Sequence, residues 1–131
     1  MKNFKLIAML VIVTIIASCS KDDAPAPIPK VLVVTTDTPS GITASDVKLG
    51  GNVVTDGGSA VTRRGICVSL TVNPTIDDPA NDEVLEMGTG VGAFSDTFTG
   101  FPSNSTGHIR AFATNANGTV YGENKTFTTL P

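Results

Sequence analysis

Hydrophobic and polar positions alternate from residue 30 onward, in short runs rich in Val, Ile, Thr and Phe that Gly, Asn, Asp and Pro interrupt. A period of two is typical of half-buried strands, and no window shows the 3.6-residue period of a helix. Turn-forming clusters such as Asp56-Gly57-Gly58 and Asn115-Ala116-Asn117-Gly118 separate the runs. The pattern predicts seven strands, at Val31–Thr36, Val47–Val54, Val61–Leu70, Glu83–Met87, Ala93–Thr99, His108–Asn115 and Val120–Thr128.

The same alternation predicts which side chains form the core. Residues two apart share one face of a strand, so apolar residues at that spacing face inward together. The predicted inward residues are Val47, Leu49, Gly51 and Val53; Ile66, Val68 and Leu70; Ile109, Ala111 and Ala113; and Phe127. Several short strands at regular spacing indicate an all-β sandwich or barrel, and a domain of about 100 residues is near the size at which one core suffices.

Residues 1–18 have the order of a secretory signal peptide. Lys2 and Lys5 precede an apolar run from Leu6 to Ile16, which gives way to small residues. At ~1.5 Å per residue, a helix of about twelve residues covers about 18 Å, which is short of a hydrocarbon core of ~30 Å. We therefore predict that this segment is cleaved; a permanent transmembrane anchor is the weaker alternative.

The junction Ile16-Ala17-Ser18-Cys19 resembles the lipobox of bacterial lipoproteins. The resemblance implies a diacylglyceryl thioether on Cys19, cleavage before it, and acylation of the new amine with a palmitate-like chain. Several acyl chains hold a membrane far more firmly than one, because each buried methylene contributes about 0.8 kcal/mol. The membrane is thus the predicted partner, reached through lipid on Cys19.

The residues after Cys19 bear on the destination of the protein. Ser20 follows the Cys, as in lipoproteins of the outer membrane, and the run Ser20-Lys21-Asp22-Asp23 resembles the acidic tag with which some Gram-negative groups export lipoproteins to the cell surface. A polar spacer explains the run equally well, so the periplasmic face stays open as an alternative. Alternating prolines at 25, 27 and 29 predict that residues 19–29 form an extended tether of ~3.1 Å per residue, which leaves residues 30–131 as the domain.

Charge and composition exclude several function classes. The chain has a formal net charge of −3, and removal of Lys2 and Lys5 makes the mature protein more acidic, so it lacks the basic face that nucleic acid requires. Cys67 lies in an apolar run and is predicted to be a half-buried hydrophobe. His108 is the only histidine, and no spacing points to a metal site or a Ser-His-Asp arrangement. We predict no enzyme, no metal and no cofactor.

A series of segments resembles the fibronectin type III-like modules of bacterial surface lipoproteins, over most of residues 30–131. The segments, in order, are residues 50–53, 56–58, 61–69, 73–75, 110–115, 118–122 and 127–129. The resemblance implies a seven-strand sandwich of the immunoglobulin-like kind. Modules of this kind are mostly spacers, stalks or adhesion and binding units, so the fold names no activity.

Two departures from these modules predict modest stability. The family tends to carry an aromatic residue where this chain has Val68, and its corner tyrosine where this chain has Gly107. Loss of a large buried side chain costs roughly 3–5 kcal/mol where neighbours do not refill the space.

Three groups of residues are candidate sites. The glycines of Gly88-Thr89-Gly90-Val91-Gly92 suggest a nucleotide loop, but a strand follows them instead of a helix, which favours a structural loop. An acidic loop, residues 77–83, could offer oxygen ligands to Ca²⁺ but lacks the spacing of an EF-hand, so a solvated loop is the simpler interpretation. Strand parity places His108, Arg110 and Phe112 on one outward face, with Cys67 near; they form either a binding face or ordinary outer-sheet decoration.

Two hypotheses of function follow. The first is a non-enzymatic, lipid-anchored interaction, scaffold or adhesion module of the cell envelope. The alternative is a carbohydrate-binding component of a surface glycan-uptake assembly, against which stand the absence of Trp and the single Tyr121, since sugar sites usually present aromatic platforms.

Overall fold

The computed structural model describes residues 31–131, and the predictions for the signal peptide, Cys19 and the tether lie outside the described residues. The described chain forms strands and loops. The strands are β1 (Leu32–Thr36), β2 (Val47–Asp56), β3 (Arg63–Ser69), β4 (Asp82–Glu86), β5 (Gly92–Phe98), β6 (Thr106–Asn115), β7 (Gly118–Tyr121) and β8 (Lys125–Thr128).

The strands form two antiparallel sheets that pack face to face. The first sheet has the order β1-β2-β5, and the second has the order β4-β3-β6-β7, with β8 also paired to β6. The predicted all-β sandwich is confirmed. The described strands number eight, where the sequence pattern predicted seven.

The extra strand arises because the predicted run Val120–Thr128 is divided in two. Tyr121 pairs with Phe112 in β6, whereas Thr126 pairs with His108, so the register shifts by one residue between β7 and β8. A one-residue shift reverses which side chains face the core. Tyr121 therefore points outward and Phe127 inward, although a continuous strand would place both on one face.

The core lies between the sheets and matches the predicted alternation, except at one position. Leu49, Val53, Ile66 and Ile109 are at most 1% exposed, because apolar residues two apart face the opposite sheet. Leu70, predicted to be buried, is 58% exposed. It lies beyond the end of β3 at Ser69, where the strand geometry that set its direction no longer applies.

The structure fills the place where the family has its corner tyrosine. A Cβ atom on Gly107 would lie 2.5 Å from the ring of Phe127 and 2.7 Å from the ring of Phe101. These two rings pack with their centroids 4.9 Å apart. Two phenylalanines therefore occupy the space of the missing side chain, and Gly107 no longer supports the prediction of modest stability.

Different loops and strand ends lie at the two ends of the sandwich, which we call the N-terminal pole and the distal pole. At the N-terminal pole, Val31 lies beside Gly57 of the β2–β3 turn and the β6–β7 turn around Asn117. At the distal pole lie the end of β3 and the connection between β5 and β6. The chain thus enters the described domain at one pole. The two longest strands, β2 and β6 with ten residues each, span ~33 Å between the poles.

Candidate functional site

The three residues predicted to form a binding face do share one surface, the outer face of the second sheet. In β6, the alternate residues His108, Arg110 and Phe112 point away from the core, and Cys67 of β3 pairs directly with Arg110. Tyr121 of β7 pairs with Phe112. This outer face is where the structure brings the predicted residues together.

The expectation that Phe112 is an exposed aromatic is wrong. Phe112 is 0% exposed, and the guanidinium of Arg63 lies 5.2 Å from the centroid of its ring. The Nε of Arg63 also donates to Oε2 of Glu86 at 2.6 Å, which holds the guanidinium in place. The ring is therefore a covered part of the sheet and offers no contact surface of its own.

The β3–β4 loop, residues 70–81, crosses this face and is fastened to it. Arg110 donates from Nε to the carbonyl of Pro74 at 3.0 Å, and its guanidinium lies 4.1 Å from the centroid of the Tyr121 ring. The Tyr121 hydroxyl accepts from the backbone N–H of Ile76 at 3.1 Å. Both ends of Tyr121 are thus engaged within the molecule, so this ring is not a free platform for a sugar.

His108 is tied to the same loop through an asparagine. The backbone N–H of Asn73 donates to Oδ1 of Asn124 at 2.8 Å, which fixes the orientation of the Asn124 amide. With the amide in this orientation, Nδ2 of Asn124 faces Nδ1 of His108 at 3.2 Å and is the donor of the pair. His108 and Arg110 hold the loop on the sheet, and a role of this face in binding stays a prediction.

Cys67 lies beneath this assembly and is 0% exposed. Burial raises the pKa of the Cys67 thiol to about 12 and outweighs the opposite influence of the Arg110 guanidinium. A thiol is a nucleophile only as its thiolate. Cys67 is therefore protonated at neutral pH and acts as a packing residue.

The glycine-rich segment between β4 and β5 is a cradle for an arginine. Arg64 donates from Nε to the carbonyl of Met87 at 3.1 Å, and from Nη1 to the carbonyls of Gly90 and Val91 at 3.0 and 3.2 Å. Gly90 has φ of 84°, a conformation that suits glycine. Because carbonyl oxygens point at the centre of this loop, it attracts a cation, whereas a nucleotide loop presents N–H groups to phosphate. The structural interpretation of the segment is confirmed.

The carboxylate oxygens of the acidic loop accept hydrogen bonds from nearby backbone N–H and side-chain amide groups. Asp78 accepts from Nδ2 of Asn81 with both carboxylate oxygens, at 3.1 and 2.9 Å. Asp82 accepts from the N–H of Thr75 at 2.8 Å. Within residues 31–131, no group of three or more His, Cys, Asp or Glu residues is arranged to hold a metal ion.

A groove at the distal pole is a feature that the sequence did not predict. It has a volume of about 220 Å³ and lies where the end of β3, the β3–β4 loop and the β5–β6 connection meet. Val68, Phe98 and Phe101 line it from the core side, and its rim includes Leu70, Asn81, Asp82, Glu83 and Pro102. The sequence signals for it are the small Val68, in a position where the family tends to have an aromatic residue, and the apolar Leu70 just past a strand end. We call it the distal groove.

A second groove, of about 270 Å³, lies at the N-terminal pole. Val31 and Val120 contribute apolar surface to it, and the rest of its wall comes from the Gly57 and Asn115–Thr119 turns. Its wall holds no ionisable side chain, so nothing in it orients a charged ligand.

Comparison with solved structures shows which known domains the fold is similar to. The sensor domain of the anti-sigma factor RsgI4 of Pseudobacteroides cellulosolvens superposes with a TM-score of 0.59 at 16% identity, over 80% of this chain and 98% of that one. The sixth fibronectin type III domain of human fibronectin type III domain containing protein 3 gives a TM-score of 0.54 at 16% identity, over 82% of this chain and 92% of that one. The described domain is a fibronectin type III-like sandwich.

Because the sequence identities are low, these similarities support the fibronectin type III-like fold and do not indicate an activity. The chain matches no protein-family profile, and no curated protein matches it. Within residues 31–131, no helix has the length and hydropathy that are required to cross a bilayer.

Proposed function

We propose that this chain is a non-enzymatic, lipid-anchored interaction module of the cell envelope, held in the outer membrane by lipid on Cys19 and facing the cell surface. In this arrangement the signal peptide directs export, the acyl chains on Cys19 provide attachment, and residues 19–29 hold the sandwich away from the bilayer. The fibronectin type III-like domain contributes a rigid body with a contact surface at its far end.

The observation that carries the proposal is the polarity of the domain. Val31, the first described residue, lies at the N-terminal pole, and the distal groove lies at the opposite end of the strands. A chain attached through its N-terminal side therefore directs the distal groove and the acidic rim away from the membrane. That is the orientation in which a tethered domain meets a partner.

The engagement of the outer sheet face also supports a contact at the distal pole. His108 and Arg110 hold the β3–β4 loop, and Phe112 is covered. The distal pole carries Leu70, which is 58% exposed, beside a groove with a charged rim. Leu70 is therefore open to contact, whereas the ring of Phe112 is not.

The test combines the anchor and the contact in intact cells that produce the full chain. Mass spectrometry is expected to find the mature N-terminus at an acylated Cys19, and added protease is expected to release the domain from the cell surface. A photo-crosslinking amino acid at Pro102 in the distal pole is expected to form a defined adduct, whereas the same probe at Asn117, in the N-terminal pole, forms none.

Each part of the proposal has a result that contradicts it. An unmodified Cys19 thiol, or a retained leader, overturns the anchor. Protection of the domain from protease until the outer membrane is broken places it on the periplasmic face. Equal crosslinking from both poles, or none from either, overturns the assignment of the contact to the distal pole.

A further inference from the structure

We propose that the distal groove receives one apolar side chain of a partner polypeptide, in a segment where that residue is next to a lysine or arginine. The inference deepens the proposed function and rests on it. It assigns a ligand chemistry to the pole that the tether leaves free.

The size of the groove sets the size of what it holds. Pockets that enclose drug-sized ligands measure ≈ 300–1,000 Å³, and the distal groove measures about 220 Å³. An apolar cavity of ~150 Å³ accepts a benzene-sized group. The groove thus suits a single leucine- or phenylalanine-sized side chain and is too small for a folded ligand or an oligosaccharide.

Apolar side chains lie beneath the groove, and Leu70 beside it supplies exposed apolar surface, although most of the surface that the groove opens to solvent is polar. Val68 is 2% and Phe101 is 7% exposed, and Phe98 packs against Phe101 with ring centroids 6.1 Å apart. These side chains belong to the core, so the floor is held by the same contacts that stabilise the sandwich. An apolar group seated there exchanges water for contact with a rigid surface.

The rim is acidic, and its charge favours a cationic residue next to the apolar residue of the partner. Asp82 and Glu83, at the start of β4, line the groove. Asp77 and Asp78 lie in the preceding β3–β4 loop and are outside its lining. Asp82 is engaged with the N–H of Thr75, whereas Glu83 makes no ion pair among residues 31–131. Charge complementarity of this kind favours a cationic residue on the partner.

The net charge of the whole domain also favours a cationic partner segment. Residues 31–131 carry ten Asp and Glu residues against five Lys and Arg residues. Arg63 is paired with Glu86, Arg64 is held by loop carbonyls, and Arg110 is bound to Pro74. A second copy of this acidic domain would bring like charge to the rim, so a basic partner segment is the better occupant.

The test uses the full chain, labelled with ¹⁵N in detergent micelles, and short blocked peptides as probes. N-acetyl-Phe-Lys-amide is expected to shift the amide signals of Leu70, Glu83 and Gly100 in a saturable way. N-acetyl-Phe-Glu-amide and N-acetyl-Gly-Lys-amide, which lack the cation or the apolar group, are expected to bind more weakly. Shifts that are absent, or equal for the three peptides, overturn the inference.

Two pairs of variants locate the effect. Leu70→Ser is expected to weaken binding, while Val72→Ser, at a residue in the same loop that is 61% exposed and outside the groove, leaves it unchanged. Glu83→Gln is expected to weaken binding about two- to five-fold, as for an exposed ion pair, and Glu123→Gln is the matched control. An equal effect of test and control variants contradicts the site.

The same variants separate this inference from the proposed function. If the adduct at Pro102 in intact cells survives both Leu70→Ser and Glu83→Gln, the module has a partner but the distal groove does not hold it. If the adduct is lost in both variants and kept in both controls, the groove is the contact. If the unmodified chain forms no adduct although the peptides bind, the proposed function fails and the groove chemistry stands.

Discussion

Arg64 shows how one side chain determines the conformation of a loop. Its guanidinium is surrounded by carbonyls of Met87, Gly90 and Val91 and lies 5.2 Å from the centroid of the Phe94 ring. The planar group donates in several directions at once, which a lysine ammonium at the end of a flexible stem does not reproduce. The glycine-rich segment therefore depends on this arginine for its fold.

We predict that Arg64→Lys and Arg64→Ala both lower the free energy of unfolding by about 2 kcal/mol. A hydrogen bond to a charged group contributes about 1.5–3 kcal/mol net, and at this part-exposed loop water replaces the lost donors at most of the three carbonyls. Urea unfolding, with an unchanged m-value, measures the loss. Lys125→Ala is the control, since Lys125 lies 3.8 Å from Glu123 in an exposed pair. A lysine variant as stable as the unmodified protein would show that the planar geometry is unimportant.

Cys67 makes stability sensitive to alkaline pH. The folded thiol keeps its proton up to a pKa of about 12, whereas the reference thiol loses its proton at 9.0. Between these values the unfolded state binds fewer protons, so the free energy of unfolding falls as the pH rises. The contribution of Cys67 is complete below pH 9.0 and is lost as the pH approaches about 12.

We predict that Cys67→Ala removes this component. The slope of the unmodified protein should exceed that of the variant by up to about 1.4 kcal/mol per pH unit within that window. Chemical denaturation at a series of pH values measures both slopes, and the difference cancels the titration of other groups. Parallel slopes, or rapid reaction of the folded thiol with a disulfide reagent at pH 8, would contradict the burial.

At the scale of elements, the β3–β4 loop behaves as part of the second sheet. Tyr121 and Asn124, from β7 and the segment after it, accept hydrogen bonds from the backbone of the loop at Ile76 and Asn73. Pro74 is among the fully buried residues. The loop thus closes the outer face of the sheet over Cys67.

We predict that Tyr121→Phe exposes the Ile76 amide without unfolding the sheet. The ring and its contact with Arg110 remain, and only the acceptor of the Ile76 N–H is lost, at a cost of about 1 kcal/mol. Native-state hydrogen exchange should accelerate at Ile76 about five-fold. Amides in β6 serve as the internal reference. Unchanged protection at Ile76 would mean that the hydroxyl does not hold the loop.

The strands could be predicted from the sequence because their signal is local. In β2 and β6, apolar residues two apart face the same core, so the pattern in ten residues determines the face. The pattern does not predict the division between β7 and β8. Gly122 and Asn124 are turn-forming residues, but only the pairing with β6 reveals the shifted register.

The candidate site was harder to predict, because its contacts join distant parts of the chain. Ile76 and Tyr121 are 45 residues apart, and no periodicity announces that such a pair will meet. Parity placed His108, Arg110 and Phe112 on one face correctly, but it could not show that Arg63 and the β3–β4 loop cover that face. The distal groove likewise depends on the relative position of the two sheets, which the sequence of a single strand does not show.

For the whole molecule, the distal groove is a recess in the surface with Val68 at its floor. The resemblance to fibronectin type III-like modules implies an aromatic side chain where this chain has Val68, and about 220 Å³ is open beside it. Phe101 and Phe127 have compensated for the other departure, at Gly107. Of the two departures, only Val68 therefore leaves open space beside it.

We predict a single thermal transition with a midpoint below ~90 °C, the lower bound of the hyperstable range. Val68→Phe, which fills the groove from its floor, is expected to add about 1 kcal/mol and to raise the midpoint by about 4–8 °C. Calorimetry measures both midpoints. A midpoint above ~90 °C for the unmodified protein, or a lower one for the variant, would show that the groove costs no stability.

The placement of the two poles also determines how the domain carries a mechanical load. When the chain is attached beside Val31 and a partner pulls at the distal groove, tension runs along the strands. Hydrogen bonds between antiparallel strands lie perpendicular to that direction, so the load shears many of them together instead of unzipping them in turn. We therefore expect a bound segment to slip out of the groove before the sandwich gives way, so that a pull on this protein ends in detachment with the fold intact.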